Sequence, residues 1–67
     1  MQQKSLNEYI EQIKNLVQSK NYIDCIELLH NAIRDFPQEN KLKLNLGNIY
    51  KLVGKSNQAI DVYLSLI

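Results

Sequence analysis

The chain has 67 residues, and eight basic against seven acidic side chains give a formal net charge of +1. This length allows one small domain with a thin core, and the scattered lysines form no basic stripe of the kind that marks a nucleic-acid binder. The single cysteine, Cys25, excludes an internal disulfide, and the longest apolar runs are two or three residues, too short to span a membrane.

The first predicted helix runs from about Leu6 to about Ser19. Leu6, Tyr9, Ile10, Ile13, Leu16 and Val17 recur on a helical period. Ser5 before it and Glu8 three residues later make a capping box: the hydroxyl accepts from the Glu8 backbone while the carboxylate reaches back to Ser5. Ser19, Lys20 and Asn21 interrupt the pattern. The second helix is expected over about Tyr22 to Asp35, with Ile26, Leu29, Ile33 and Phe36 on one stripe and Cys25 and Ala32 beside it. Asn21 is its candidate N-cap and Asp24 suits the first turn. Pro37 stops it, because proline biases the preceding residue away from helical geometry.

The third helix is expected over about Lys41 to Val53, with Asn40 as candidate N-cap. Leu42, Leu46, Ile49, Tyr50 and Val53 make its main stripe, and Leu44 and Leu52 fall outside it. Gly54 ends it, since glycine accepts the left-handed conformation that follows a helix. Ser56 is the candidate cap of a fourth helix, with Ala59, Ile60, Tyr63, Leu66 and Ile67 on one face. No segment alternates with a period of two, so strands are not expected. Connections of three to five residues require consecutive helices to pack antiparallel. The fold class is therefore all-α, two antiparallel helical hairpins.

A shift of 34 residues superposes the two halves. Tyr9 to Leu16 falls on Lys43 to Tyr50, Cys25 and Ile26 fall on Ala59 and Ile60, and the break at Ser19 to Asn21 falls on Val53 to Lys55. The run Asn45-Leu46-Gly47-Asn48, with Tyr50, Gly54, Ala59, Ile60 and Tyr63, resembles the tetratricopeptide repeat; Tyr22, Ile26, Ala32 and Pro37 carry a fainter copy. The resemblance covers residues 6–67 and implies a short α-solenoid: a lead and cap over 1–5, one repeat over 6–39 and a second, truncated one over 40–67. A glycine inside a helix costs about 1 kcal/mol relative to alanine. The resemblance gives Gly47 a reason, a close approach of two helices with Ala59 as the facing small residue. Gly47, Tyr50, Gly54, Ala59 and Tyr63 are the helix-packing signature. The first half departs from it, with Ile13 at the position of Gly47, Cys25 at that of Ala59, and Gln12 where the pattern wants a leucine.

The family lines its concave groove with the first helix of each repeat. By that resemblance the partner-binding groove contains Ile10, Lys14, Val17, Leu44, Asn45, Asn48 and Leu52, with Asn7, Gln18, Lys41 and Val53 around them. Leu44 and Leu52 lie eight apart, outside the main stripe. They either join the core between the repeats or form an exposed apolar patch that marks an interaction site. One subclass of the family grips C-terminal carboxylates with lysines and asparagines. Asn45 matches one such position, but Ile10 and Lys14 do not match theirs, so that clamp is not expected.

No catalytic constellation is present. His30 is the only histidine, and the residues one turn away from it, Ile26, Glu27, Ile33 and Arg34, give no converging ligand set. Cys25 sits on a buried stripe, without the cation and exposure of a reactive thiolate. The expectation is a protein that is not an enzyme and has no cofactor or metal: a scaffold that binds a protein or peptide, not nucleic acid or membrane. The polar start, Met1 to Ser5, lacks the apolar core of a secretory signal, and a lone thiol fits a reducing compartment; both point to the cytoplasm. The pattern stops inside the fourth helix, which gives the further expectation of a fragment of a longer protein, one that self-associates through exposed end faces. The alternatives are a homo-oligomerisation module or the noncatalytic repeat region of a larger modifying enzyme.

Overall fold

The first helix begins where its capping box places it. The Ser5 backbone N–H donates to Glu8 Oε1 at 3.0 Å and the Glu8 N–H donates to Ser5 Oγ at 3.2 Å. In the computed structural model, which describes residues 4–66, the chain forms α1 (Leu6–Gln18), α2 (Tyr22–Asp35), α3 (Asn40–Leu52) and α4 (Ser56–Leu64). No strand occurs among the described residues. Consecutive helices pack on one another, α1 on α2, α2 on α3 and α3 on α4. The architecture is thus two helical hairpins, all-α as the periodicity requires. Ile67, expected on the α4 stripe, and residues 1–3 of the lead lie outside the described residues.

The turns carry the 34-residue repeat more sharply than the side chains do. Lys20 N–H donates to Val17 O at 3.0 Å and Asn21 N–H to Leu16 O at 2.8 Å. One repeat later Gly54 N–H donates to Lys51 O at 3.1 Å and Lys55 N–H to Tyr50 O at 2.8 Å. Both are Schellman closures, with the left-handed residue just past the helix end. Gly54 takes that conformation at φ 79°, and Lys20 takes it at φ 60°. A side chain in this region meets the carbonyl that follows, so the lysine carries backbone strain that the glycine avoids.

Of three expected caps, one keeps its position without a cap bond and two shift by one residue. Asn21 stands at the N-cap of α2, yet its side chain makes no cap bond; its amide donates to Asp24 Oδ2 at 2.9 Å. Asn40 and Ser56 are not caps but the first residues of their helices, behind Glu39 and Lys55. The same backbone unit closes one helix and opens the next. Asn21 O accepts from Cys25 N–H at 3.1 Å, and Lys55 O accepts from Ala59 N–H at 3.1 Å. Little room is left for a separate capping residue. The α2–α3 link turns at Phe36, whose φ of −131° and ψ of 67° lie outside the helical region from which Pro37 biases the residue before it.

The core runs through Tyr9 and Ile13 of α1, Cys25, Leu29 and Ala32 of α2, and Leu42, Leu46 and Ile49 of α3, with Ala59 buried on α4. On α2 the centre of burial is rotated from the expected stripe. Cys25, Leu29 and Ala32 are sealed from solvent at 0%, whereas Ile26, Ile33 and Phe36 lie at the margin. The helix is clasped by α1 and α3 together, so its small residues take the closest approaches and its branched residues fill the flanks. Phe36 also meets the edge of Tyr9, ring centroids 6.0 Å apart. The Tyr9 hydroxyl donates to Asp35, tying the start of α1 to the end of α2.

Gly47 permits a close approach, but the atoms nearest to it are not those of Ala59. A Cβ built there would lie 2.5 Å from Tyr63 Cε1 and 2.8 Å from Tyr63 Cζ. The ring of Tyr63 takes the space that the missing side chain leaves. Its hydroxyl then reaches over α3 and donates to Asn48 Oδ1 at 2.6 Å.

Candidate functional site

A hollow of about 410 Å³ opens between α1 and α3. Its lining is Ile13, Lys14, Val17 and Gln18 from α1, with Asn45, Asn48, Ile49 and Leu52 from α3. Ile13 and Ile49 are buried, Val17 is half-buried, and the rest of the lining is exposed. The floor is therefore branched aliphatic, and the rim is amide and ammonium. Lys14 is the only charged residue in the lining, and α3 contains no carboxylate anywhere along its length.

The repeat places these side chains. Gly47 lets the Tyr63 ring lie on α3, and the ring's hydroxyl fixes the Asn48 amide through its oxygen. The two amide N–H donors of Asn48 have no partner among the described residues, and neither do the Asn45 amide and the Lys14 ammonium. An apolar floor with a few oriented polar groups at its edge is the general form of a binding site. Amide groups bond well to an extended main chain, since each offers donors and an acceptor.

Five of the seven groove residues named from the sequence line this hollow: Lys14, Val17, Asn45, Asn48 and Leu52. Ile10 and Leu44 do not line it, although both are exposed, at 37% and 46%. They are equivalent positions one repeat apart and lie about a turn towards the start of each helix. Leu52 is 61% exposed, so neither leucine joins the core between the hairpins. The floor residues Ile13 and Ile49 were assigned to the core stripe. Two equivalent pairs, Lys14 with Asn48 and Gln18 with Leu52, both face the gap, whereas Ile13 and Ile49 are not equivalent positions and each joins the floor from the edge of its own core stripe.

The remaining polar features are structural. His30 Nε2 lies 3.0 Å from the Tyr50 hydroxyl with the rings edge to face, which joins α2 to α3. Burial pushes the Cys25 thiol above its ordinary pKa, the opposite of an activated nucleophile. The described residues hold no cluster of three or more His, Cys, Asp or Glu that would bind a metal ion, and no helix among them is long and apolar enough to cross a membrane. Comparison with family models, with curated proteins and with solved structures found no match for this chain.

Proposed function

We propose that this chain is a tetratricopeptide-like interaction module that holds an extended segment of a protein or peptide in the hollow between α1 and α3. The observation that carries this reading is the combination in one cleft of a closed aliphatic floor, Ile13 and Ile49, with an amide, Asn48, held in place by Tyr63. The floor takes an apolar side chain of the partner. Asn45 and Asn48 bond its main chain, and Lys14 attracts an acidic neighbour. The module works by display and capture, without a covalent step. Within the cell the reading fits a scaffold of the cytoplasm, alone or as the noncatalytic part of a larger protein.

The test is a selection from a random peptide library followed by affinity measurement on variants. Leu52→Glu places a charge at the wall, and Asn48→Ala removes the held amide. Both sites are exposed, so helix content by circular dichroism stays that of the parent. Each substitution should weaken the selected peptides at least ten-fold. Peptides that bind both variants as tightly as the parent would contradict the reading, as would a library that yields no binder.

A further inference from the structure

The internal repeat sets two different polar groups at one position of the α1–α3 hollow. Lys14 of α1 and Asn48 of α3 are 34 residues apart, and both line the gap. The residues that go with Lys14 in the repeat are Ile13 and Leu29, and those that go with Asn48 are Gly47 and Tyr63. Leu29 is sealed in the core and has no polar side-chain atom. Tyr63 instead fills the notch that Gly47 leaves, and its hydroxyl donates to Asn48 Oδ1 at 2.6 Å. One hairpin therefore gives the hollow a free ammonium, and the other gives it an amide held from behind.

How the amide is held decides what it offers. A side-chain amide is planar, with its oxygen on one side of the Cβ–Cγ bond and its nitrogen on the other. Tyr63 belongs to α4, which packs on α3, whereas the hollow lies between α3 and α1. An oxygen turned to α4 leaves the nitrogen, with its two N–H donors, on the side of the hollow. The hydroxyl also occupies one of the two acceptor sites of that oxygen. The Tyr63 ring is half-buried and seated against Gly47, so keeping the bond costs little side-chain freedom. Lys14 can only donate, and no carboxylate lines the hollow. Both groups at this position of the rim thus present donors.

We infer that Tyr63 is a positioning residue for the hollow, and that by holding the Asn48 oxygen it makes the site select acceptor oxygens. The bound segment meets the Asn48 nitrogen with a main-chain carbonyl and the Lys14 ammonium with a carboxylate. Tyr63 touches no part of the segment and acts through Asn48 alone; no α4 residue lines the hollow. Without its hydroxyl the amide turns freely, and ordering it becomes a cost of binding. The inference rests on the reading of the hollow as a peptide site and adds to it the group that is read and the helix that controls the reading.

The test uses peptides selected from a random library on the parent chain. Tyr63→Phe keeps the ring against Gly47 and removes only the hydroxyl, so helix content stays that of the parent. It should weaken the selected peptides about five-fold, the worth of one hydrogen bond. In an Asn48→Ala background the same change should have no effect, and in an Asn45→Ala background it should keep its full effect. Asn48→Asp retains an oxygen for Tyr63 but has no donor, and it should weaken the peptides as much as Asn48→Ala does. Without peptide, side-chain amide relaxation should find Asn48 more ordered than Asn45 in the parent and equally mobile in Tyr63→Phe. Peptides held equally by the parent and Tyr63→Phe, or by the parent and Asn48→Asp, overturn the inference and leave the peptide site standing. So does a Tyr63→Phe effect that persists without the Asn48 amide, or an Asn48 amide as mobile as that of Asn45 in the parent. A library that yields no binder overturns the reading of the hollow and this inference with it.

Discussion

Replacing Gly47 with alanine sets two known effects against each other. Alanine is the better helix former by about 1 kcal/mol, so at an exposed helical site the change would stabilise. Here the new methyl would stand 2.5 Å from Tyr63 Cε1, against the 3.5–4.0 Å or so at which carbon atoms pack. The ring must retreat by about 1 Å. That motion pulls the hydroxyl from Asn48 Oδ1, now 2.6 Å away, at a net loss of about 1 kcal/mol. Overpacking of this kind costs about 1–3 kcal/mol in all. The parent should therefore lose up to about 2 kcal/mol, or at best break even. In a Tyr63→Ala background the obstacle is gone, and the same substitution should stabilise by about 1 kcal/mol. The assay is a double-mutant cycle by urea unfolding, followed by circular dichroism in sulfate buffer so that every corner is folded at the start. A coupling energy below about 0.3 kcal/mol, the scatter expected of independent sites, would refute the close contact of Gly47 with Tyr63.

Other perturbations probe other elements. Lys20→Gly should stabilise by about 0.5–1 kcal/mol and Gly54→Ala should destabilise by about 1–2 kcal/mol, because a side chain in the left-handed region is strained; nothing lies within 4 Å of a Cβ at Gly54, so its cost is backbone alone. Thermal melting reads both, at about 4–8 °C per kcal/mol for a domain this small. Ser5→Ala should cost about 1 kcal/mol by removing the α1 cap. Hydrogen bonds from the Ser5 backbone and hydroxyl hold the Glu8 carboxyl below its ordinary pKa of 4.5. Its contribution to stability is thus full above pH 4.5 and is lost as the pH falls through the lower folded value; acid titration of melting temperature should show that loss in the parent and less of it in Ser5→Ala. Cys25, sealed and with a raised pKa, should react with a thiol reagent only at the rate of unfolding, and Leu29→Ala should speed that reaction by opening the core around it.

The helices and turns were legible in the residues because each break has its own chemistry. Pro37 takes Phe36 out of the helical region, Gly54 takes the left-handed turn, and Ser5 with Glu8 forms a reciprocal cap. The cap at Ser56 was misplaced because an N-cap signal assumes a free residue before the helix, and here the turn that closes α3 also uses Lys55 to open α4; the cap at Asn40 was misplaced by one residue, behind Glu39. The residue whose atoms lie nearest to Gly47, Tyr63, was not named as its neighbour. Small residues suggest each other, but a gap in one helix can as well receive a large ring such as Tyr63. The groove was legible where a single helix face determined it, at Lys14, Val17, Asn45, Asn48 and Leu52. It was not legible at Ile13 and Ile49, since only the relative rotation of α1 and α3 turns a core stripe into the floor of a cleft. The same rotation leaves Ile10 and Leu44 outside.

The binding role of the hollow is tested most directly by backbone amide and side-chain amide shifts of the labelled chain as a selected peptide is added. The account predicts that the shifts concentrate on Lys14, Val17, Gln18, Asn45, Asn48 and Leu52, with the Asn48 side-chain amide among the largest. Shifts confined to the outer faces of α2 and α4, with the Asn48 amide unmoved at saturation, would contradict it.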